Sequence, residues 1–326
     1  MIDDKSLLSY RSLLRWCTTL LLLFAGINNA LAACTSTSGA GNLGTVTSFN
    51  VATVPQKVTA TSGFACTGGL LTLLSTNTVT ATIASTTNAN GTTAELFNAA
   101  NNQTIPYLIC KDSACGESVN VGSSTVWSST TLLGLLGLFT SNGTLPLYLQ
   151  TIPGANVKAG VYTDTININW AWHLCALGVL GLCVYDDGTS STFINVTMIV
   201  SNYCFIDNAP DVQFGTAAFP SGFAPVTGNS LSVRCTLGAT YSINLTSNNP
   251  ITGQYRQMLS TVNGTTNSLQ YQILKADTTV WTPTANYPSI GTGLSQNINY
   301  TATVNPNQPN VPSGTYSDTV VVTVTY

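Results

Sequence analysis

Apolar and polar side chains alternate with a period of two along many short segments of this chain. The segments Tyr241–Leu245 and Thr78–Ile83 show the pattern clearly, and it is typical of strands with one buried face. Asn90-Gly91, Asn142-Gly143 and Asn263-Gly264 separate such runs, because Asn and Gly tolerate positive φ in tight turns. Short strands, frequent turns and no helical period predict an all-β fold of immunoglobulin-like antiparallel β-sandwiches.

Two sets of residues recur along the chain and indicate an internal repeat. Cys34 and Cys66 lie 32 positions apart, and Cys204 and Cys235 lie 31 apart. The run Gly160-Val161-Tyr162-Thr163-Asp164-Thr165-Ile166 matches Gly314-Thr315-Tyr316-Ser317-Asp318-Thr319-Val320. Two copies of one module explain both matches. We therefore predict a first domain over residues 34–201, divergent in its middle, and a second over residues 202–326.

The first 33 residues have the pattern of a secretory signal peptide. Three basic residues, Lys5, Arg11 and Arg15, precede the apolar run Trp16–Ile27, and Ala30-Leu31-Ala32 supplies a small-residue cleavage pattern. The apolar run is too short to span a bilayer. We predict export, with cleavage after Ala32 or Ala33.

The cysteine count bears on an alternative use of the same region. Leu31-Ala32-Ala33-Cys34 also resembles a lipobox, in which Cys34 carries lipid. Removing the signal peptide leaves eight cysteines, and lipid on Cys34 would leave one of them without a partner, so disulfides are favoured. The predicted pairs are Cys34–Cys66, Cys110–Cys115, Cys175–Cys183 and Cys204–Cys235. Such pairs are typical of an oxidising compartment such as the periplasm.

Composition excludes several classes of function. Only 6% of the 326 residues are charged, and the net charge is −3, whereas a nucleic-acid-binding surface needs clustered cations. His173 is the single histidine and shows no evident partner, so no metal, no cofactor and no histidine-based catalytic site is predicted. Carboxylates are scattered and give no acid–base pair. We interpret Asp186-Asp187-Gly188 as a solvated turn, and Asp164 and Asp318 as structural turn residues, and we predict that the protein is not an enzyme.

The two predicted domains end differently. After the Gly160 motif, the first continues with a strand over 166–172, a loop, and a strand over 192–201 in which Ile194, Val196, Met198 and Val200 alternate. The second has only the counterpart of the earlier strand, over 320–326, and so lacks its final strand. A sandwich without an edge strand exposes an apolar groove and unpaired backbone groups. The predicted edge that accepts a strand from another chain consists of Val320, Val322, Val324 and Tyr326.

Two apolar segments of the first domain are candidates for a binding surface. They mix leucine with glycine, and their apolar residues are Leu132, Leu133, Leu135, Leu136, Leu138 and Phe139 in one, and Leu177, Val179, Leu180 and Leu182 in the other. A weaker third candidate is the segment over 69–74. The alternative is that these loops close the sandwich, or that 132–139 forms a short buried helix. Glycine disfavours a helix, and exposed apolar patches mark interaction sites, so we predict fingers that bind hydrophobic surfaces.

The second domain resembles a known family. The spacing of Cys204 and Cys235 and the ending Gly314-x-Tyr316-x-Asp318-Thr319-x-x-Val322-x-Val324-x-Tyr326 are similar to the spore coat protein U domain. That domain forms the subunits of archaic (Csu-type) chaperone–usher pili. The similarity covers nearly all of the second domain, but in the first only the cysteine pair and the Gly160–Ile166 motif.

The resemblance implies partners and a location. It implies a periplasmic pilus chaperone, an outer-membrane usher and an adjacent pilin that donates a strand. Because Ile194–Val200 completes the first domain and almost nothing precedes Cys34 after cleavage, we expect this chain to accept a strand but not to give one. The chain thus resembles a two-domain tip adhesin, exported through the periplasm to the cell surface.

Two other functions compete with this interpretation. One is a structural pilus or coat subunit without an adhesive role. The other is a carbohydrate-binding adhesin in which Trp127, Trp170 and Trp172 supply stacking platforms. Sugar sites combine aromatic residues with polar groups that fix the ligand, whereas the leucine-rich loops favour hydrophobic contact.

Overall fold

The computed structural model of the chain describes residues 33–61, 63–67, 77–128, 145–179 and 182–326. The predicted signal peptide lies outside the described residues up to position 32. No helix in the described ranges is long and apolar enough to cross a membrane.

Strands account for almost all regular structure, as the alternating pattern predicts. The first group of elements is β1 (Ala33–Thr37), β2 (Gly39–Thr47), helix α1 (Ser48–Thr53), β3 (Lys57–Ala60), β4 (Gly63–Thr67), β5 (Thr78–Thr86), β6 (Ala89–Asn90), β7 (Thr93–Asn98), β8 (Gln103–Cys110), β9 (Ser118–Val119), β10 (Ser124–Ser128), β11 (Leu147–Thr151), β12 (Gly160–Val179) and β13 (Leu182–Ser201). We call this group the first module.

A second group of strands follows and shares no sheet with the first. It comprises β14 (Cys204–Asn208), β15 (Val226–Cys235), β16 (Thr240–Ser247), β17 (Arg256–Val262), β18 (Thr265–Lys275), β19 (Tyr287–Ile290), β20 (Ser295–Val304) and β21 (Val320–Thr325), with a 3₁₀ turn at Pro220–Gly222. We call this group the second module.

The first module is a sandwich whose two layers meet at one edge. One layer runs β10-β5-β12-β13-β2, and the other runs β7-β8-β11-β3. The layers are joined where Thr163 of β12 pairs with Phe97 of β7. Between them lies a core that includes Phe64, Tyr107 and Trp170, each no more than 1% exposed. The immunoglobulin-like class predicted from the sequence is therefore confirmed.

The β12–β13 hairpin is longer than the sequence pattern predicts. The segment between 172 and 192, predicted to be a loop, is mostly strand, because the two strands pair continuously from Gly160–Val200 up to Cys175–Tyr185. The prediction that Asp186-Asp187-Gly188 forms a turn is wrong, since these residues pair in register with Leu174, His173 and Trp172. The hairpin thus extends beyond the part of β12 that pairs with β5, which ends at His173.

The second module has a similar two-layer arrangement, but among its described residues one of the layers lacks the counterparts of β13 and β2. Its layers are β14-β15-β20-β18-β17 and β19-β16-β21. Strand β21 corresponds to β12 and, within the described residues, pairs with β16 alone. Residues 209–217 take the place of β2 in chain order and contain no strand. In the first module β13 lies between the two equivalent elements, pairing antiparallel with β12 and parallel with β2.

Three of the four predicted disulfides are present: Cys110–Cys115, Cys175–Cys183 and Cys204–Cys235. In the fourth, Cys34 of β1 lies directly opposite Cys66 of β4, and Cys34 is disulfide-bonded. The Cys66 side chain lies outside the described part of the chain. A disulfide-bonded Cys34 is not available for lipid.

Candidate strand-acceptor groove and hairpin stem

A groove opens between the two sheets of the second module. Its volume is about 840 Å³, and its rims are residues 209–217 on one side and 314–318 with Val320 and Val322 on the other. Its floor is apolar and includes Leu245, Leu269, Ile273 and Trp281. We call this the acceptor groove. It is the position that β13 fills in the first module.

The first module shows what occupies this position when the sheet is complete. The inward side chains of β13, Ile194, Val196, Met198 and Val200, are at most 2% exposed. Their partners across β12 are Ile166, Asp164, Tyr162 and Gly160, and the repeat places Val320, Asp318, Tyr316 and Gly314 at the same positions. By this correspondence, a strand in the groove would place four alternating side chains over its apolar floor.

The four residues predicted as the acceptor edge occupy different surroundings. Val320 and Val322 line the groove. Val324 packs against the core of the second module. Tyr326 is 52% exposed, and its ring lies 6.1 Å from that of Tyr203. The structure thus brings two of the four to the groove wall.

A tyrosine–aspartate hydrogen bond marks equivalent points of both modules. Tyr107 donates to Asp164 Oδ2 at 2.8 Å, and Tyr271 donates to Asp318 Oδ2 at 2.6 Å. Burial raises the pKa of both tyrosines, and the nearby carboxylates raise it further. Sequence analysis predicted a structural role for both aspartates but did not identify the tyrosines as their partners. Tyr107 and Tyr271 lie on β8 and β18, far from the aspartates along the chain. Tyr271 and Asp318 lie on the groove wall.

The modules differ at the residue opposite each of these tyrosines. Ala94 pairs with Tyr107, whereas Arg256 pairs with Tyr271. The Arg256 guanidinium is buried and donates to the carbonyl oxygens of Leu245 and Trp281 at 2.7 and 3.0 Å. Burial lowers its pKa. Arg256 thus fixes two residues of the groove floor through their backbones.

The predicted finger residues fall mostly outside the described part of the chain. This holds for Leu132, Leu133, Leu135, Leu136, Leu138 and Phe139, for Leu180, and for all of the weaker candidate over 69–74. The backbones of Leu177, Val179 and Leu182 form the ends of β12 and β13, but their side chains are not described. The described hairpin therefore carries the 176–182 segment at its far end.

The stem of this hairpin carries polar contacts that the sequence did not predict. His173 Nδ1 lies 2.6 Å from Asp187 Oδ1, and its ring stacks on Tyr185 with centroids 4.0 Å apart. The expectation that His173 has no partner is therefore wrong. Asp187 was assigned to a turn, so its pairing across the hairpin could not be anticipated. Within the described ranges no group of three or more His, Cys, Asp or Glu side chains could hold a metal ion.

The tryptophans considered as sugar platforms are mainly core residues. Trp170 is 1% exposed and Trp127 is 4% exposed, and their rings stack with centroids 6.1 Å apart. Trp172 is half-buried and lies 5.2 Å from Phe64 between ring centroids. Buried rings offer no face to a sugar, so two of the three proposed platforms are unsuited to that role.

Comparison with known proteins identifies the family. The model of the Spore Coat Protein U domain matches residues 20–169 and 190–323. A search of curated proteins gave no significant match. Among solved structures, the CsuC–CsuE chaperone–tip adhesion subunit pre-assembly complex from the archaic chaperone–usher Csu pili of Acinetobacter baumannii matches with 25% identity. That match has a TM-score of 0.59 and covers 90% of this chain and 100% of that one.

A second solved structure gives a weaker match. The CupB6 tip adhesin of Pseudomonas aeruginosa has 14% identity and a TM-score of 0.35, covering 90% of this chain and 94% of that one. Because the family model matches both modules, this chain belongs to the Spore Coat Protein U domain family.

Proposed function

We propose that this chain is the tip adhesin of an archaic chaperone–usher pilus. In this role the second module accepts a strand from a neighbouring subunit, and the first module attaches to surfaces through its apolar loops. The observation that carries the proposal is the contrast between the modules: the first encloses its own strand β13, and the second leaves the acceptor groove at the equivalent position.

The groove supports strand acceptance on physical grounds. Within the described residues, strand β21 has no pairing partner on the edge away from β16, and the groove behind it exposes core side chains. Strand addition satisfies both, because main-chain hydrogen bonds give affinity and alternate side chains fill the pockets. Before assembly the same groove needs a periplasmic chaperone, and the usher follows at the outer membrane. The structural match to a chaperone–tip adhesion subunit complex supports the chaperone as a partner.

The organisation of the chain supports a terminal position. We propose residues 1–33 as a signal peptide, residues 34–201 as the adhesive domain and residues 202–326 as the domain that joins the fibre. Because β13 is consumed within the first module, it is not available for donation to another subunit. Family and fold are those of adhesive and structural subunits, which are not enzymes.

The adhesive surface is proposed from the position and chemistry of the loops. The β12–β13 hairpin carries the leucine-rich 176–182 segment at its far end, and Cys175–Cys183 closes that end. Burying one leucine contributes about 1.5–3 kcal/mol, so a few apolar side chains suffice for attachment without specific hydrogen bonds. The burial of Trp127 and Trp170 disfavours the sugar-binding alternative.

The test replaces Leu135, Leu136, Val179 and Leu180 with Ser in cells that assemble the pilus. We expect attachment to polystyrene to fall by roughly 100-fold or more, since several apolar contacts are lost at once, while the amount of chain on the cell surface stays unchanged. Mild detergent should inhibit the unmodified cells, and free sugars should not. Unchanged attachment by the serine variant would refute the adhesive role, and inhibition by sugars would favour the carbohydrate alternative.

A further inference from the structure

The stem of the β12–β13 hairpin contains an aromatic residue that lies over a glycine. Trp172 on β12 pairs in register with Gly188 on β13. The indole ring occupies the space where a β-carbon at position 188 would lie, so any other residue there overlaps the ring. Glycine inside a strand weakens it and often marks a close approach by another group. At Gly188 that group is the indole of Trp172.

The indole is held from two other directions. Its Nε1 donates to Asp186 Oδ2 at 3.1 Å. Its ring lies 5.2 Å from Phe64, which in turn stacks on Trp170 at 5.7 Å between centroids. Since Phe64 and Trp170 are buried in the first module, these contacts link the stem to the core of the sandwich.

We propose that Trp172 and Gly188 are positioning residues that fix the direction in which the hairpin leaves the sandwich. Beyond Trp172, strand β12 continues to Val179, while its pairing with β5 in the described part of the chain ends at His173. Leu174 and Cys175 are still buried, and the Cys175 N–H donates to Asn77 Oδ1 at 2.6 Å. A hairpin with little support from a sheet is marginally stable alone. The indole, between Gly188 and Phe64, adds packing next to the point where pairing with β5 ends.

The expected effect of these stem contacts on attachment rests on the proposed adhesive function. A hairpin that is already ordered loses less conformational entropy when it meets a surface. The stem contacts therefore preserve the affinity of the 176–182 segment without touching the surface themselves. Disrupting them should reduce attachment while the strand-accepting second module is unaffected.

The experiment compares three stem variants of the full chain. Trp172→Ala removes the indole ring, and Gly188→Val keeps the ring but places a side chain in the space it occupies. Trp172→Phe keeps an aromatic ring over Gly188 but removes the Nε1 donor. We expect amide hydrogen exchange at residues 174, 175 and 183–187 to speed up by about 10-fold in the first two variants. Attachment per surface-exposed chain should fall by about 10-fold in both, whereas Trp172→Phe should stay within about 2-fold of the unmodified chain.

A control separates positioning from general destabilisation. Ile168→Val truncates a buried side chain on the same strand, away from the stem, and should leave both exchange at the stem and attachment unchanged. If Trp172→Ala and Gly188→Val show unchanged stem exchange, or if Ile168→Val impairs attachment equally, the inference is overturned.

The serine variant of the apolar loops distinguishes this inference from the proposed function. If that variant loses attachment while the stem variants retain it, the adhesive function stands and the positioning role is overturned. If the serine variant attaches normally, the adhesive function fails. In that case faster stem exchange in Trp172→Ala and Gly188→Val still supports the structural role of the pair.

Discussion

The first and second modules share a strand order and a tyrosine–aspartate hydrogen bond, but they differ at one strand position. In the first module this position lies between β12 and β2, and in the second it lies between β21 and residues 209–217. In the first module β13 lies there, and its four inward side chains are at most 2% exposed. In the second module the same position is a groove of about 840 Å³.

The two modules also differ at the rim of this position. Strand β2 pairs in parallel with β13 over seven residue pairs, whereas residues 209–217, its counterpart, form no strand. A segment at the edge of a sandwich gains its hydrogen bonds from its neighbour. The second module has no such neighbour among the described residues, and the proposed donor strand would supply one.

The largest effect is expected when the second module is given its own strand. The change adds a four-residue turn and a copy of residues 188–201 after Tyr326, so that the copy returns antiparallel to β21. Burying four apolar side chains contributes about 6 kcal/mol or more, which corresponds to a rise in Tm of about 20 °C for a module of this size. Calorimetry measures the change.

The matched control for this fusion carries aspartate at the copies of Val196 and Met198. It should give no rise in Tm, because charged side chains cannot enter the apolar groove. An equal rise in both fusions would mean that the groove does not accept the strand.

A smaller effect on stability is expected from a substitution in β13, the strand that completes the first module. Met198→Ala removes a side chain that is 0% exposed, and such truncations cost about 3 kcal/mol. Urea unfolding of the full chain should show the loss in the transition of the first module alone. Its neighbour Ile199 is 47% exposed, so Ile199→Ala should change stability by less than about 0.5 kcal/mol. Equal losses at both positions would contradict the assigned register of β13.

The smallest effect concerns the pH dependence of the buried carboxyl group. Burial raises the pKa of Asp164 above its usual value of 3.8. A raised pKa in the folded state means that the stability from this group is present below pH 3.8 and is lost as pH rises through the folded-state pKa. The stability of the unmodified chain relative to Asp164→Asn should therefore fall as pH rises through this range, as measured by urea unfolding.

Asp112 offers a control of opposite sign. Backbone hydrogen bonds, the first from Glu117, lower the pKa of this exposed carboxyl group. The stability that Asp112 contributes is present above its ordinary pKa and is lost as pH falls through the lowered pKa. The stability of the unmodified chain relative to Asp112→Asn should therefore rise with pH, opposite to the result for Asp164→Asn. The same slope for both variants would contradict the burial argument for Asp164.

Much of the fold could be predicted because its signals are local. The alternation of apolar and polar residues correctly predicted β5 and β16. Asn263 and Gly264 both have positive φ and form the turn between β17 and β18, as expected for an Asn-Gly pair. The length of the hairpin could not be predicted, because the polar run Asp186–Ser191 looks like a turn. The run is strand: its residues pair in register with β12 from Leu174 to Asn169, and the Trp172 indole covers Gly188.

The groove was predictable in kind but not in detail. The repeat showed that one module has a strand that the other lacks, so the acceptor edge followed from counting strands. Sequence spacing could not show that Val320 and Val322 line the groove while Tyr326 lies beside Tyr203. Nor could it pair Arg256 with Tyr271, since that contact depends on the register between two strands.

The sequence by itself determined the β class, the repeat, three of the cysteine pairs and the inequality of the two modules, because each depends on residue types at recognisable spacings. Only the tertiary structure decided which side chains meet: Trp172 with Gly188, His173 with Asp187, and each buried tyrosine with its aspartate. Such contacts join strands that are distant along the chain or fold back over a long hairpin. They are set by register and by packing between layers, which leave no periodic mark in the sequence.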